Sequence, residues 1–587
     1  MNNQNDLSFM KDLKDKFFRN EIYSYISDVL IAVNPYKTIH ELYTVDAINM
    51  FKDKDVSNEI LPAHLFVIAN EVKKNKSTPQ SIIVSGESGS GKTETSKCLL
   101  KFFSGSEQTQ EMINANILLE SFGNSRTTEN ENSSRFIKTI QLKLDSLSIA
   151  SIKLCTFSLE SSRVCPGTFD TFHIFYYLAY GATSEWKKKL NLEHCSFPIL
   201  TRHDTNQNLR NFETIDGTLY KLGVSENEKK NIYVNLSVIL HLSNVKFEEF
   251  ETGARITEFS KKNVIIAANL MNIAVQDLEE AILFRSTKFP DSIIITRLNV
   301  FAASRARDTI SKAIYDDLFK SIVFYINRAF ENNHQSDQSP NINILDIAGF
   351  ECFNSLGNRF EQFCINYSNE KIQNFCTQRL ICDEINWYKE ESINVPEISF
   401  PGNDMVLDML ENKKFGIFSL LDEECRMPNP QTESFIQKEN FIEHNAEVHS
   451  KYLCNLLVKI LKPAASAPQH MYKFSNAVND KKKTYSGTFI MELESLISEL
   501  KPTRPYFIRC VKPNRKTMPD IFDDTIVFNQ LQSSGMLAYN QLIQLGFPIK
   551  IMILDLFEKL KSDVIKPKES QPKSTNMQYV RPNRNNL

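Results

Sequence analysis

Glycine is scarce here, with 17 residues in a chain of 587. Missing altogether are a CxxC pair, an apolar run approaching 18 residues and a large surplus of either charge. Each absence excludes a class. Eleven scattered cysteines without an extracellular-looking framework point to free thiols in a reducing compartment. Without a long apolar run, no membrane span is expected. A formal net charge of -3 supplies neither a basic body for nucleic acid nor a polybasic membrane address. The opening "MNNQNDLSFM" lacks a basic region followed by an apolar one, so no secretory signal is expected. The expectation is a soluble, cytoplasmic protein.

What is present suffices for a large core, since 42% of residues are hydrophobic. The length suggests about four domain-sized units or one elaborated domain. "YSYISDVLIAVNPYK" reads as a β-rich segment ending in a turn at Asn34-Pro35, and "SIIVS" as a short buried strand. The pattern then changes, and "KTETSKCLLKFF" has helical spacing. "RFIKTIQLKL" alternates like a strand, and "RDTISKAIYDDLFKSIVFYINRAF" has a long helical period. The polar tract "ENNHQSDQSPNIN" precedes the apolar strand "ILDIAGF", and "FEQFCINYSNEKIQNFCTQRLICDEINWY" reads as one very long helix. Strands alternating with helices predict an α/β core with a partly parallel sheet.

The scarce glycines cluster in "SGESGSGKT", where Gly86, Gly89 and Gly91 fall within six residues. Gly86, Glu87, Ser88, Gly89, Ser90, Gly91, Lys92 and Thr93 fit G-x-x-x-x-G-K-[ST], with a strand before and a helix after. Glycines let backbone N–H groups turn around phosphate oxygens at a helix N-terminus that already favours anions. Lys92 would then reach the β- and γ-phosphates and the Thr93 hydroxyl would ligate Mg²⁺. The bland alternative is a chance match in a flexible loop. Two further loops bear on that choice. "NENSSRFIK" precedes a strand and offers adjacent hydroxyls with Arg135. "DIAGFE" ends a strand, with Asp346 placed to sit beside a metal and Gly349 to offer an N–H to the γ-phosphate. Arg135 and Glu351 form a candidate ion pair between the two loops. Singly, a solvated loop and a strand-end cap explain them as well, and only the combination is informative.

Together these loops resemble the P-loop, switch I and switch II of a myosin motor domain. Kinesins share the pattern but read SSRSH and DLAGSE, whereas this chain has "SSRF" and "AGFE". The resemblance extends over roughly Ile22 to Pro548. It includes "VLIAVNPYK", "ILLESFGN", "LESSRV", "FHIFYYLAYGA", "RDTISKAIYDDLF", "FEQFCINYSNEKIQNF", "LLDEEC", "YFIRCVKPN" and "QLQSSGMLAYNQLIQLGFP". It implies a P-loop NTPase fold with a central twisted mixed β-sheet and large helical insertions. It divides the chain into residues 1–80 with a purine-binding turn, and 81–340 with P-loop, switch I and upper actin-binding subdomain. Residues 341–485 would carry switch II, relay helix and lower subdomain, 486–548 the last core strand and the helices toward the converter, and 549–587 a converter remnant and polar tail.

The implied function is an actin-activated ATPase that couples hydrolysis of Mg-ATP to filament binding and release. Asn34, Pro35, Tyr36 and Tyr43 would line the adenine side, and Gly86 to Thr93 would hold the phosphates. Thr93 and Ser134 would ligate Mg²⁺, with Asp346 standing behind the metal's own ligands. Asn130 and Ser133 would wall the γ-phosphate, Gly349 would sense it, and Arg135 would pair with Glu351 as the switches close. Lys481, Lys482 and Lys483 occupy the place of a basic loop that meets actin, and Ser292 that of an acidic or phosphorylatable loop residue.

Departures from the family are equally specific. Glu129 stands where switch I usually has Arg, and Ile137 replaces the Gly after "SSRF". "HNAEVH" only faintly echoes the family's HYAGxV segment, and Ser533 and Ile543 replace two reactive thiols. No IQ-type helix or coiled coil is evident, so neither a light chain nor dimerisation is expected, and 549–587 is too short for a full converter. Glu129, Ile137 and the short end motivate an alternative, a nucleotide-gated actin tether with weak or no hydrolysis. A remoter reading, a P-loop enzyme such as a kinase, would need an acceptor site that the sequence does not display.

Overall fold

Apolar runs without polar alternation, "LIAV", "IIV" and "ILDI", become strands buried on both faces, with Leu30, Ile31, Ile82, Ile83, Ile344 and Leu345 fully covered. In the computed structural model the described residues are 4–52, 54, 61–75, 78–104, 106–128, 130–144, 149–167, 169–201, 205–251, 253–288, 292–330, 342–351, 360–394, 399–400, 402–414, 416–426, 485–545, 550–552 and 577–579. They fold as two compact units, each assembled from separated stretches. The first comprises Met1–Val67, Glu370–Leu407 and Tyr506–Leu587, and the second Ile68–Asn369 and Asp408–Pro505.

In the first unit, strands Tyr23–Ile26 and Val29–Val33 form an antiparallel hairpin. Val29–Val33 also runs parallel to strand Arg504–Val511, from Phe507↔Val29 to Val511↔Val33. The long helix foreseen from Phe360 is present, but not as one α-helix. It runs as Phe360–Thr377, passes through a π-helical turn at Gln378–Cys382, and resumes as Asp383–Glu390. Leu380 and Ile381 of that turn are buried.

In the second unit, strand Gln80–Ser85 pairs in parallel with Ile342–Asp346. The latter pairs antiparallel with Ile137–Leu144, which pairs antiparallel with Ile149–Phe157. This mixed sheet carries large helical insertions, the longest being the 31-residue helix Val300–Phe330. That helix is anchored twice. Asn327 clamps both backbone groups of Leu154, accepting from its N–H at 2.7 Å and donating to its carbonyl at 2.8 Å. Such a clamp satisfies backbone that a strand would otherwise leave open. Further along, Tyr315 donates to the Phe122 carbonyl at 2.6 Å and stacks on Phe172. Among the described residues no helix is long and apolar enough to cross a membrane, and the described cysteines are all free.

Candidate functional site

Sheet register decides where the three loops meet. Asp346 ends its strand opposite Val84 on one side and Lys138 on the other. The segments 86–91 and 347–351 therefore leave the carboxyl ends of two parallel neighbours. Residues 130–136 enter the antiparallel third strand at the same end. A crevice outside the carboxyl ends of parallel strands is where open α/β sheets bind ligands.

The loop 86–91 is built on backbone geometry that side chains resist. Gly86, Gly89 and Gly91 have φ of 149°, 77° and 96°. Gly91 caps helix Lys92–Phe103 in the left-handed conformation, with no side-chain cap at the positive end of the helix dipole. Lys92 is buried and bends back over the loop, its Nζ donating to the Gly86 carbonyl at 2.8 Å and the Glu87 carbonyl at 2.7 Å. Ser90 Oγ is buried without a hydrogen-bond partner among the described residues. Thr93 is half-buried at the start of the helix.

Four side chains from the three loops converge. Ser88 Oγ lies 3.3 Å from Ser133 Oγ, which donates to Glu351 at 3.1 Å. Arg135 Nη1 donates to both Glu351 oxygens at 2.9 and 2.8 Å and to Ser133 Oγ at 3.0 Å. Gly349 packs so close to Ser88 that a Cβ would sit 2.3 Å from its backbone nitrogen. The switch-like loop is closed by a two-residue ladder, Asn124↔Ser134 and Ser125↔Ser133.

Helix Phe360–Thr377 holds the segment after Asp346. Asn366 accepts from the Glu351 N–H at 3.0 Å and donates to its carbonyl at 2.7 Å, with Gln362 donating to the same carbonyl at 3.1 Å. Asn369 donates to the Ala348 carbonyl at 2.8 Å.

Other residues singled out in the sequence make contacts of their own or lie elsewhere in the chain. The Asn130 amide is engaged inside its own loop, accepting from the Asn132 N–H at 3.1 Å and donating to the Asn132 carbonyl at 3.2 Å. Ser134 is half-buried beside Arg135. Asp346 is buried 3.2 Å from Lys138 Nζ, so its carboxylate already faces a cation. Ile137 lies buried in regular strand opposite Phe157, and the sheet accepts its bulk. Ser292 is exposed ahead of strand Ile293–Arg297. Ser533 ends helix Asp524–Ser533, and Ile543 is buried in helix Met536–Leu545. Glu129, Lys481, Lys482, Lys483, "HNAEVH" and Pro548 lie outside the described residues.

In the first unit, Asn34, Pro35 and Tyr36 form a turn in which Asn34 Oδ1 accepts from the Tyr36 N–H at 3.0 Å. Tyr36 has φ of 49°, and the Asn34 N–H is anchored on the Val511 carbonyl at 2.9 Å. Tyr43 meets the Tyr23 hydroxyl at 2.7 Å, in an aromatic group with His64, Phe51 and Phe66. Burial there pushes His64 down to about 4.

Two residues went unnoticed as site elements in the sequence. Glu160 Oε2 accepts from Arg135 Nε at 2.6 Å and from Arg163 Nε at 2.7 Å, all three being buried. Burial alone would raise the Glu160 carboxyl, but the two guanidiniums more than offset it and hold the group at about 2. Burial lowers the Arg163 pKa, whereas Arg135, between Glu160 and Glu351, is raised despite its burial. The available signal was the spacing of Glu160 and Arg163 in "LESSRV", three residues apart in a short apolar-flanked run.

The sequence profile of the myosin head (motor domain) family matches residues 1–453 and 439–581. The chain is 32% identical over 663 residues to myosin heavy chain 95F of Drosophila melanogaster, covering 95% of this chain and 52% of that protein. It is 31% identical to the myosin-I heavy chain of Dictyostelium discoideum, covering 92% of this chain and 25% of that one. With the unconventional myosin-VI of Bos taurus, identity is 29% over 95% of this chain and 50% of the relative. The chain thus spans about half the length, or less, of these relatives. The glycine-rich loop, the Arg135–Glu351 pair and the helix gripping the Glu351 segment sit on a mixed sheet within the matched residues. The chain belongs to the myosin head (motor domain) family.

Proposed function

We propose that the chain binds and hydrolyses Mg-ATP at the crevice between the three loops and couples that turnover to binding and release of actin filaments. The observation that carries this reading is the convergence of Ser88, Ser133, Arg135 and Glu351 on one point. Three loops distant in sequence meet outside the carboxyl ends of two parallel strands, where open α/β sheets bind ligands.

The donor set suits the ligand. Positive-φ glycines, an uncapped helix N-terminus, Lys92 and the unpartnered Ser90 hydroxyl form a cradle for phosphate oxygens. For Mg²⁺ the chain offers the hydroxyls of Thr93 and Ser134, with Asp346 behind them. No group of three His, Cys, Asp or Glu side chains forms a cage among the described residues. Few, hard oxygen donors fit a cation that keeps waters and substrate phosphates as ligands. Bound there, Mg²⁺ would supply positive charge to the phosphates.

Chain residues then do the positioning. Lys92 moves from its carbonyl partners to the phosphates. Ser133 and the Gly349 N–H wall the γ-phosphate, joined by Asn130 once its amide leaves the Asn132 backbone, and the Arg135–Glu351 pair shuts out bulk water and orients the attacking one. Phosphoryl transfer needs little more than such placement and charge stabilisation, so no tuned general base is required. Asn366, Gln362 and Asn369 make helix Phe360–Thr377 follow the segment 348–351. A small shift at the phosphate thereby becomes a displacement of a long lever-like element.

Asn34, Pro35, Tyr36 and Tyr43 serve the adenine side. Lys481, Lys482 and Lys483 meet actin's acidic surface, and a negative group on Ser292 tunes that docking. Phosphate release measured with and without filaments tests the proposal. We expect stimulation by actin and loss of turnover in Lys92→Ala, while unchanged turnover in that variant would sink the reading. Filament release on ATP addition without phosphate production would leave a nucleotide-gated tether instead.

A further inference from the structure

Glu160 and Arg163 are buried charges for which the proposed reaction has no direct use. Their contacts fall on both ends of one loop. At the near end, Arg163 Nη1 donates to the Arg126 carbonyl at 3.3 Å, and to the Asp170 carbonyl at 3.0 Å. The Arg163 guanidinium also lies over the Phe169 ring at 5.5 Å. At the far end, Glu160 Oε2 accepts from Arg135 Nε, and the Glu160 N–H donates to the Arg135 carbonyl at 2.9 Å. Arg163 and Glu160 are bonded to each other at 2.7 Å. The Arg135 N–H donates to the Gly123 carbonyl at 2.9 Å, so the loop's base is also tied by backbone.

Arg135 thus has two separate attachments. Its Nε belongs to Glu160, while its Nη1 belongs to Glu351 and Ser133. A guanidinium this deeply buried is costly without a carboxylate partner. If Glu351 were its only partner, separating the two loops would strand Arg135 in a dry interior or drag its strand along. Glu160 removes both outcomes, because it neutralises Arg135 whichever position Glu351 takes. Glu351, by contrast, hangs from Asn366 and Gln362 on a helix.

We infer that Glu160 and Arg163 form a clamp on the loop between Asn124 and Arg135 that holds the Arg135 guanidinium in place and neutralised whether or not Glu351 is paired with it. Glu160 is a positioning residue here. It acts through Arg135 and does not reach the substrate. This inference rests on the ATPase reading for its consequence, but the clamp itself is a statement about one loop.

The test uses the full chain, with Glu160→Gln, which keeps shape and removes charge, and Arg163→Lys, which keeps charge and loses the carbonyl contacts. Amide hydrogen exchange is compared in residues 124–135 and in strand Gln80–Ser85. The clamp predicts that exchange in 124–135 accelerates about tenfold or more in Glu160→Gln and by less in Arg163→Lys, with 80–85 within about twofold of the parent. It also predicts that the hydrolytic step in a single turnover slows about tenfold while ATP affinity stays within about threefold. Loop exchange within about twofold of the parent in both variants overturns the clamp, as does equal acceleration of 124–135 and 80–85. Should Glu160→Gln not fold, Arg163→Lys decides alone by the same comparison. A parent chain that releases no phosphate counts against the ATPase reading only, since the exchange comparison still decides the clamp.

Discussion

Arg135 and Glu351 are 216 residues apart in sequence and 2.8 Å apart in space. The pair was legible because each residue sits in a motif whose chemistry asks for it. Glu160 was not legible as a partner of Arg135, since the spacing in "LESSRV" hints at a Glu160–Arg163 pair but at no partner 25 residues upstream. The physical reason is burial, which spacing does not reveal. That burial gives a pH prediction. Glu160 is held at about 2, below its ordinary 4.5, by Arg135 and Arg163 acting against desolvation. A depressed carboxyl contributes stability that is full above its unfolded value and is lost as pH falls toward the folded one. Thermal unfolding followed from pH 6 to pH 3 should therefore show a smaller drop in midpoint for Glu160→Gln than for the parent. Parallel curves would mean that the Glu160 carboxyl is not held low in the folded state.

Single elements were largely readable where pattern and chemistry agree. Helix Lys92–Phe103 and strands Gln80–Ser85, Ile137–Leu144 and Ile342–Asp346 fall where period and flanking turns place them. The π-helical turn at Gln378–Cys382 did not show, because apolar periodicity is too coarse to register one extra residue in a turn. Close approach between elements is also invisible in sequence, and Gly349 is the clearest case. A Cβ there would meet the backbone of Glu87 and Ser88 at 2.3–2.7 Å, and backbone cannot rotate away as a side-chain end can. Gly349→Ala should push segment 347–351 off the glycine-rich loop and break the Ser133–Glu351 contact. We expect the hydrolytic step to fall about a hundredfold, the loss typical of misplacing reacting groups by an ångström. A rapid-quench burst assay measures this, and a burst of normal rate would show that close approach at Gly349 is dispensable.

At the scale of the whole molecule, sequence order is a poor guide to partition. Each of the two structural units is assembled from stretches hundreds of residues apart, an arrangement that linear order does not display. Charge is distributed as unevenly as fold. On the proposed function, a chain of net charge -3 meeting an acidic filament would start from mild overall repulsion, so attraction would have to be concentrated in a local patch. Lys481, Lys482 and Lys483 are one of two runs of three consecutive lysines in the sequence, the other being Lys187, Lys188 and Lys189. Exposed charges act over the Debye length, about 30 Å at 0.01 M salt and about 8 Å at 0.15 M. Replacing Lys481, Lys482 and Lys483 by alanine should therefore weaken filament binding severalfold at low salt, with the difference narrowing as salt rises. ATP binding without filaments should be unaffected, since the proposed phosphate cradle is formed by residues 86–93. Co-sedimentation with actin across that salt range reads the effect directly. A constant ratio between parent and variant at every salt would place the contact in packing, and an unchanged affinity throughout would move the filament interface away from these lysines.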